Sequence, residues 1–166
     1  MTDALLSFDV VGDPVPQGSK RTVPTKAGPR AVESNRERLL PWRDSVAAAA
    51  QVAIAHDETL GGRYTPAELP LVPAGPVALA LTFTIRRPLS HYGTGRNARQ
   101  LRPSAPWYVP IRPDVDKLVR AVLDALTGVA YRDDGQVAAL RVAKVYGPRG
   151  HAHVELVRLP HAEASS

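Results

Sequence analysis

The chain has 166 residues, 44% of them hydrophobic, enough for one domain with a core of its own. Its formal charge of +5 and isoelectric point near 9.9 point to a polyanionic partner, nucleic acid before membrane. It has no cysteine, which excludes disulfides, thiolate metal sites and thiol nucleophiles. No apolar run reaches the length of a membrane span and the N-terminus lacks a signal pattern, so a cytoplasmic protein with no membrane partner is expected.

Taken in order, residues 4–11 (ALLSFDVV) read as a first strand with an exit rich in turn formers. Lys20, Arg21, Lys26 and Arg30 around Ala27-Gly28-Pro29 suggest a basic hairpin or loop. From Ser34 to His56 the pattern is helical, with Trp42, Val46, Ala49, Ala50, Ala53 and Ile54 facing the core. Pro41 fits its first turn, where a missing N–H costs little. Trp42 reads as a core residue, given its apolar neighbours. Residues 57–76 hold Gly61, Gly62 and four prolines and read as a connector. The stretch VALALTFTIRR then alternates cleanly, with Val77, Leu79, Leu81, Phe83 and Ile85 on one strand face.

Residues 86–112 read as a mobile basic loop. It carries Arg86, Arg87, Arg96, Arg99, Arg102 and Arg112, with Tyr92, Trp107 and Tyr108 interleaved and no carboxylate between Glu68 and Asp114. Such a segment suits an arm that grips phosphates; the plainer alternative is a solvated basic loop. Past the centre of the chain, VAALRVAKVYG and HAHVELVRL read as two strands of a hairpin joined through Pro148-Arg149-Gly150. His151 and His153 share a strand face but are expected to face solvent rather than bind metal. Residues 1–3 and 161–166 are expected to fray.

The chemistry concentrates in residues 112–137, RPDVDKLVRAVLDALTGVAYRDDGQV. Val115, Leu118, Val119, Val122, Leu123 and Leu126 recur every three or four residues, the mark of an amphipathic helix. Gly128 suits a left-handed cap and Pro113 marks where the helix has not yet begun. With Asp114 as N-cap, its extended backbone lets its side chain turn toward Asp116. Asp133 and Asp134 follow a short connector and are expected to return toward the same end. Carboxylates gathered this closely repel unless a cation sits among them, and all-oxygen ligation suits Mg²⁺ or Mn²⁺. The bland alternatives are helix capping, a surface ladder of Asp116, Arg120 and Asp124, and a common Asp-Asp-Gly turn.

The run Pro113-Asp114-Val115-Asp116, then Arg120, Asp124-Ala125-Leu126 and Asp133-Asp134-Gly135-Gln136-Val137, resembles the RusA family of Holliday junction resolvases. Lys144 matches a further basic position of that family, and the opening strand with its basic exit is similar too. Two positions depart from the pattern: Lys117 stands where the family usually has asparagine, and Arg120 where it has lysine. The resemblance implies a metal-dependent nuclease that resolves four-way DNA junctions in recombination and repair. It implies Asp114, Asp116 and Asp134 as catalytic ligands of Mg²⁺, with Asp133 as an outer or alternate ligand. Arg120 and Lys144 would neutralise phosphate, with Lys117 a further candidate. Lys20, Arg21, Arg86, Arg87, Arg96, Arg99, Arg102 and Arg112 complete the expected DNA contacts.

The expected architecture is a single α/β (α+β) domain, a small mixed β-sheet with two main helices packed on it. A homodimer is implied by the resemblance and suits a junction with paired strands to cut. No small-molecule cofactor is expected. Two other functions stand beside this one, a general endonuclease of branched or flapped DNA and a non-catalytic DNA-binding module.

Overall fold

The computed structural model describes residues 4–56 and 68–160, apart from the side chains of residues 20, 21 and 30–33. The termini expected to fray, and the Gly61-Gly62-Pro66 part of the connector, lie outside the described residues. Among the described residues the strands and α-helices are, in order, β1 (Leu6–Val11), β2 (Lys20–Thr25), β3 (Gly28–Glu33), α1 (Arg36–His56), β4 (Val77–Arg86), α2 (Val115–Leu126), β5 (Val137–Gly147) and β6 (His151–Arg158). β1, β6, β4 and β5, in that spatial order, form a mixed sheet; β2 and β3 form a separate hairpin. The expectation of a mixed sheet with two helices is met.

β4 is the centre of the sheet, and its sequence shows why. Val77, Leu79, Leu81 and Phe83 alternate with smaller residues and are all buried. In register with them across β6 lie Leu156, Val154 and Ala152, and then Phe8 and Val10 of β1. This face is covered by Leu39, Trp42, Val46, Ala50 and Ile54 of α1 and by Leu118, Ala121, Val122, Ala125 and Leu126 of α2, in one core. Both helices therefore sit on one side of the sheet, and residues such as Ala80, Thr82, Asp9 and His153 look out from the other.

β4 and β5 run parallel. A parallel pair needs a crossover, and here it is the arginine loop followed by α2. That connection makes α2 antiparallel to both strands. Its start lies at the end where β4 finishes, and its end lies where β5 begins.

Two expectations are corrected. β5 and β6 do not form a hairpin with each other: β4 lies between them, and Pro148-Arg149-Gly150 spans the end of β4, roughly 10 Å at ordinary strand spacing. The more regular alternation of β4 wins the central place. Pro41 lies not in the first turn of α1 but beyond it, since the helix starts at Arg36. Pro41 is solvent-facing, so the Glu37 carbonyl left without an N–H partner has access to water.

Candidate active site

Asp114 is the N-cap of α2, with an extended backbone (φ −68°, ψ 134°) but no capping hydrogen bond from its side chain. Its Oδ2 stands instead 3.6 Å from Lys117 Nζ. Asp116 follows in the first turn, exposed to solvent. Both carboxylates border an open cavity of about 930 Å³, which Arg112, Arg141 and Lys144 also line. On the other flank, Asp114 and Lys117 share a recess with Arg38, Arg112 and the Gln17–Ser19 loop. Asp116, Lys117 and Arg120 border a further recess against the same loop. That loop is tied to the helix by Gln17 N–H donating to the Lys117 carbonyl at 3.0 Å and by Lys117 Nζ donating to Ser19 Oγ at 3.4 Å.

The result is a pair of carboxylates at the positive end of a helix dipole, surrounded by guanidinium and ammonium groups. A phosphodiester can approach such a mouth without meeting a net negative field. The carboxylates retain accessible oxygens for a cation. Mg²⁺ is commonly held by one or two carboxylates together with water and substrate phosphate oxygens, and the donor set of Asp114 and Asp116 fits that habit.

Arg120 stands apart from the ladder expected of it. Asp124 is paired with Arg43 of α1, and Arg120 has no ion pair among the described residues, so its guanidinium remains available beside Asp116. Lys144 is more committed. Its Nζ donates to the carbonyls of Ile111 and Pro113, both at 2.6 Å, so it braces the backbone that delivers Asp114.

Asp133 and Asp134 are not brought to this mouth. They form the turn before β5, beside the opposite end of α2. Burial pushes the Tyr131 hydroxyl well above its ordinary ionisation, and the charges of Asp134 and Asp124 near it add to that shift. Asp134 is therefore near the last turns of a helix whose 12 residues span roughly 18 Å. The expectation that Asp133 and Asp134 return to the helix end that carries Asp114 and Asp116 is corrected. Among the described residues no group of three or more metal-ligating side chains assembles. The reason is the parallel crossover, which leads the chain away from the helix start.

Asp133 has a task of its own there. Its Oδ1 accepts from Gly135 N–H at 2.8 Å, while Gln136 Oε1 accepts from the backbone N–H groups of Arg132 and Asp133 at 2.9 and 3.1 Å. Gln136 Nε2 donates onward to the carbonyls of Val72 and Gly75. The Asp-x-x-Gln thus fastens the strand start to the connector. The spacing of Asp133 and Gln136 is that of a capping box, the sequence signal for this arrangement. Both aspartates of the turn are exposed.

In the arginine loop, Arg86, Arg96, Arg99, Arg102 and Arg112 are solvent-exposed. Arg102 Nε also donates to the Tyr92 carbonyl at 2.8 Å. Arg87 is the correction. It is 8% exposed, lies over the rings of Tyr146 and Trp107 at 5.2 and 5.9 Å, and donates to the Pro106 carbonyl at 2.8 Å. It holds the loop rather than facing a phosphate. The end of the loop is pinned as well, since Val109 N–H donates to the Lys144 carbonyl and Tyr146 N–H to that of Trp107.

Lys20 and Arg21 begin β2, next to Ser19 at the edge of the site; their side chains lie outside the described residues. On the open sheet face His153 meets Asp9 at 3.0 Å and Glu155 at 3.4 Å, an arrangement separate from the carboxylate mouth.

Comparison with known proteins identifies the family. A family profile described as endodeoxyribonuclease RusA matches residues 12–157. YqaN of Bacillus subtilis (strain 168), described as uncharacterized, is 44% identical over 43 residues; the match spans 26% of this chain and 30% of that protein's length. No helix among the described residues is long and apolar enough to cross a membrane. The family match begins just past β1 and ends within β6, taking in the carboxylate mouth with α2, β4 and β5, and the chain therefore belongs to the RusA family of endodeoxyribonucleases.

Proposed function

We propose that this nuclease resolves four-way DNA junctions by Mg²⁺-dependent hydrolysis, acting as a homodimer in recombination and repair. One observation carries the reading: Asp114 and Asp116 stand together at the N-terminus of α2 within a ring of cations. A module that only bound DNA would gain nothing from carboxylates at the point where phosphate arrives. Asp114 and Asp116 are the residues to hold the metal, with Mn²⁺ a workable substitute for Mg²⁺. When bound, the ion supplies the Lewis-acid charge of a metal hydrolase.

The chain's own residues do the rest. Arg112, Lys117 and the exposed arginines of the loop orient the backbone by its phosphates. Arg120 lies beside Asp116 and offsets charge that develops on the phosphoryl oxygens, without giving up a proton. Lys144 keeps the Ile111–Pro113 backbone, and so Asp114, in place. A second active site on a symmetry-related copy provides the paired incision that a junction needs.

The test compares end-labelled four-way junctions, flaps and linear duplex under identical Mg²⁺. Paired cuts confined to the junction support the reading. Equal cutting of flaps would make the protein a general branched-DNA nuclease, and binding without cutting would make it a DNA-binding module.

A further inference from the structure

The cavity that carries Asp114 and Asp116 also has an apolar wall. Tyr108 is 69% exposed, Ile111 63% and Val115 43%, and all three border the same space as the two carboxylates. Large apolar side chains left in water around one cavity mark a surface that a ligand covers. The scissile phosphate does not account for them. A phosphodiester is recognised by cations, and Arg112, Arg141 and Lys144 on the same rim supply those. At about 930 Å³ the cavity falls within the range of about 300–1,000 Å³ typical of sites that enclose a whole small molecule. It has room for more than a phosphate.

The wall is held rigidly. Tyr108 bridges to Val145 near the end of β5, between the hydrogen bonds from Val109 N–H to the Lys144 carbonyl and from Tyr146 N–H to the Trp107 carbonyl. Lys144 Nζ grips the carbonyls of Ile111 and Pro113 at once, which ties the apolar wall and Asp114 to one strand. A surface fixed in this way loses little freedom when a flat ligand packs on it.

The charges identify the occupant. No carboxylate stands between Glu68 and Asp114 in the sequence, so cations frame the wall on the side of the loop. A polyanion that also offers a flat apolar face is a nucleic acid with a base out of its stack. Continuous duplex keeps its bases inside and presents phosphates, whereas stacking is interrupted at a branch point.

We propose that Tyr108, with Ile111 and Val115, receives one unstacked base of the DNA beside a branch point and so selects branched over continuous DNA. The seated base sets the adjoining phosphodiester against Asp114 and Asp116. The branch point as source of the base rests on the nuclease reading above; the base site itself does not.

Binding without cleavage tests it. In EDTA and at one salt concentration, three DNAs are compared: an intact duplex, the same duplex with a one-nucleotide bulge, and that bulge with an abasic nucleotide. The wild-type chain should prefer the bulge with a base over the abasic bulge by on the order of tenfold, the effect of one base stacked on an aromatic ring. Tyr108→Ala should remove that preference and leave affinity for intact duplex unchanged. Tyr108→Phe, which keeps the ring, should retain it, and Ile111→Ala should reduce it.

Equal affinity of the wild-type chain for the two bulges overturns the base site, and that comparison needs no variant. A Tyr108→Ala chain that weakens on intact duplex as much as on the bulge makes Tyr108 a backbone contact and also overturns it. So does an unchanged bulge preference in Tyr108→Ala with a lower mass in sedimentation, because a second copy then covers the wall. If the wild-type chain cuts no junction in Mg²⁺, the nuclease reading fails, and the bulge comparison still decides the base site.

Discussion

Lys144 Nζ donates to the Pro113 carbonyl at 2.6 Å, so β5 grips the residue immediately before Asp114. With its second bond, to Ile111, this fixes the approach to the helix from a rigid strand. Lys144→Met should therefore loosen Asp114 without removing any residue proposed to bind metal. Single-turnover cleavage should fall on the order of 10²-fold, the usual penalty for slight misplacement of a reacting group. Melting should report a loss of about 1 kcal/mol. An unchanged cleavage rate would mean that the brace has no bearing on the site.

Arg120 is exposed and has no ion pair among the described residues, since Asp124 pairs with Arg43. Arg120→Ala should leave stability nearly unchanged while reducing turnover on the order of 10²-fold, the scale of one lost transition-state donor. Arg120→Lys keeps the charge and should retain much of the activity. Near wild-type turnover in the alanine variant would reduce Arg120 to a surface residue.

The arginine loop should separate into two kinds of residue. Arg87→Ala removes a buried cation stacked on Tyr146 and Trp107 and should cost about 2 kcal/mol of stability, read by denaturant melts. Replacing Arg96, Arg99 and Arg102 together should leave melting almost untouched and weaken junction binding. Each lost phosphate contact should flatten the slope of log K against log salt by about 0.9. An unchanged slope would place the binding face elsewhere.

Tyr131 predicts an alkaline limit. Its hydroxyl donates to the Leu123 carbonyl at 3.0 Å, and burial, with Asp134 and Asp124 near it, raises its ionisation above the ordinary value of 10.0. The neutral form is the one the fold favours. Its contribution is therefore complete below about pH 10 and declines as pH rises further. Tyr131→Phe should cost about 1 kcal/mol at neutral pH and flatten the alkaline decline, as measured by urea unfolding across that range. An equally steep decline in the variant would assign the alkaline loss to other groups.

Much of this was legible in local pattern. The alternation of β4 announced its burial, and the spacing of Pro113, Asp114 and the apolar stripe located the N-cap. Gly128 does adopt the left-handed conformation, at φ 82°. What local pattern could not show was direction. Asp133 and Asp134 lie a few residues beyond Gly128, so a return to the helix start was as consistent with spacing as the opposite end. The parallel pairing of β4 with β5 decides it, and no period in the sequence reports strand order. Arg87 escaped for a similar reason: its partners Trp107 and Tyr146 are distant in sequence, and an arginine among arginines has no pattern that marks it as buried. The Asp133–Gln136 capping box, in contrast, was readable from its spacing.

Asp114 and Asp116 are proposed to hold a catalytic metal for junction cleavage. The deciding measurement is cleavage of a labelled four-way junction by wild type and Asp116→Asn, each with Mg²⁺ and with excess EDTA, with binding followed on the same junction. Paired cuts are expected from wild type only, abolished by EDTA, and Asp116→Asn should bind at least as tightly as wild type because a repulsive charge beside phosphate is gone. Undiminished cutting in EDTA, or an Asp116→Asn chain that cuts at the wild-type rate, would contradict that assignment.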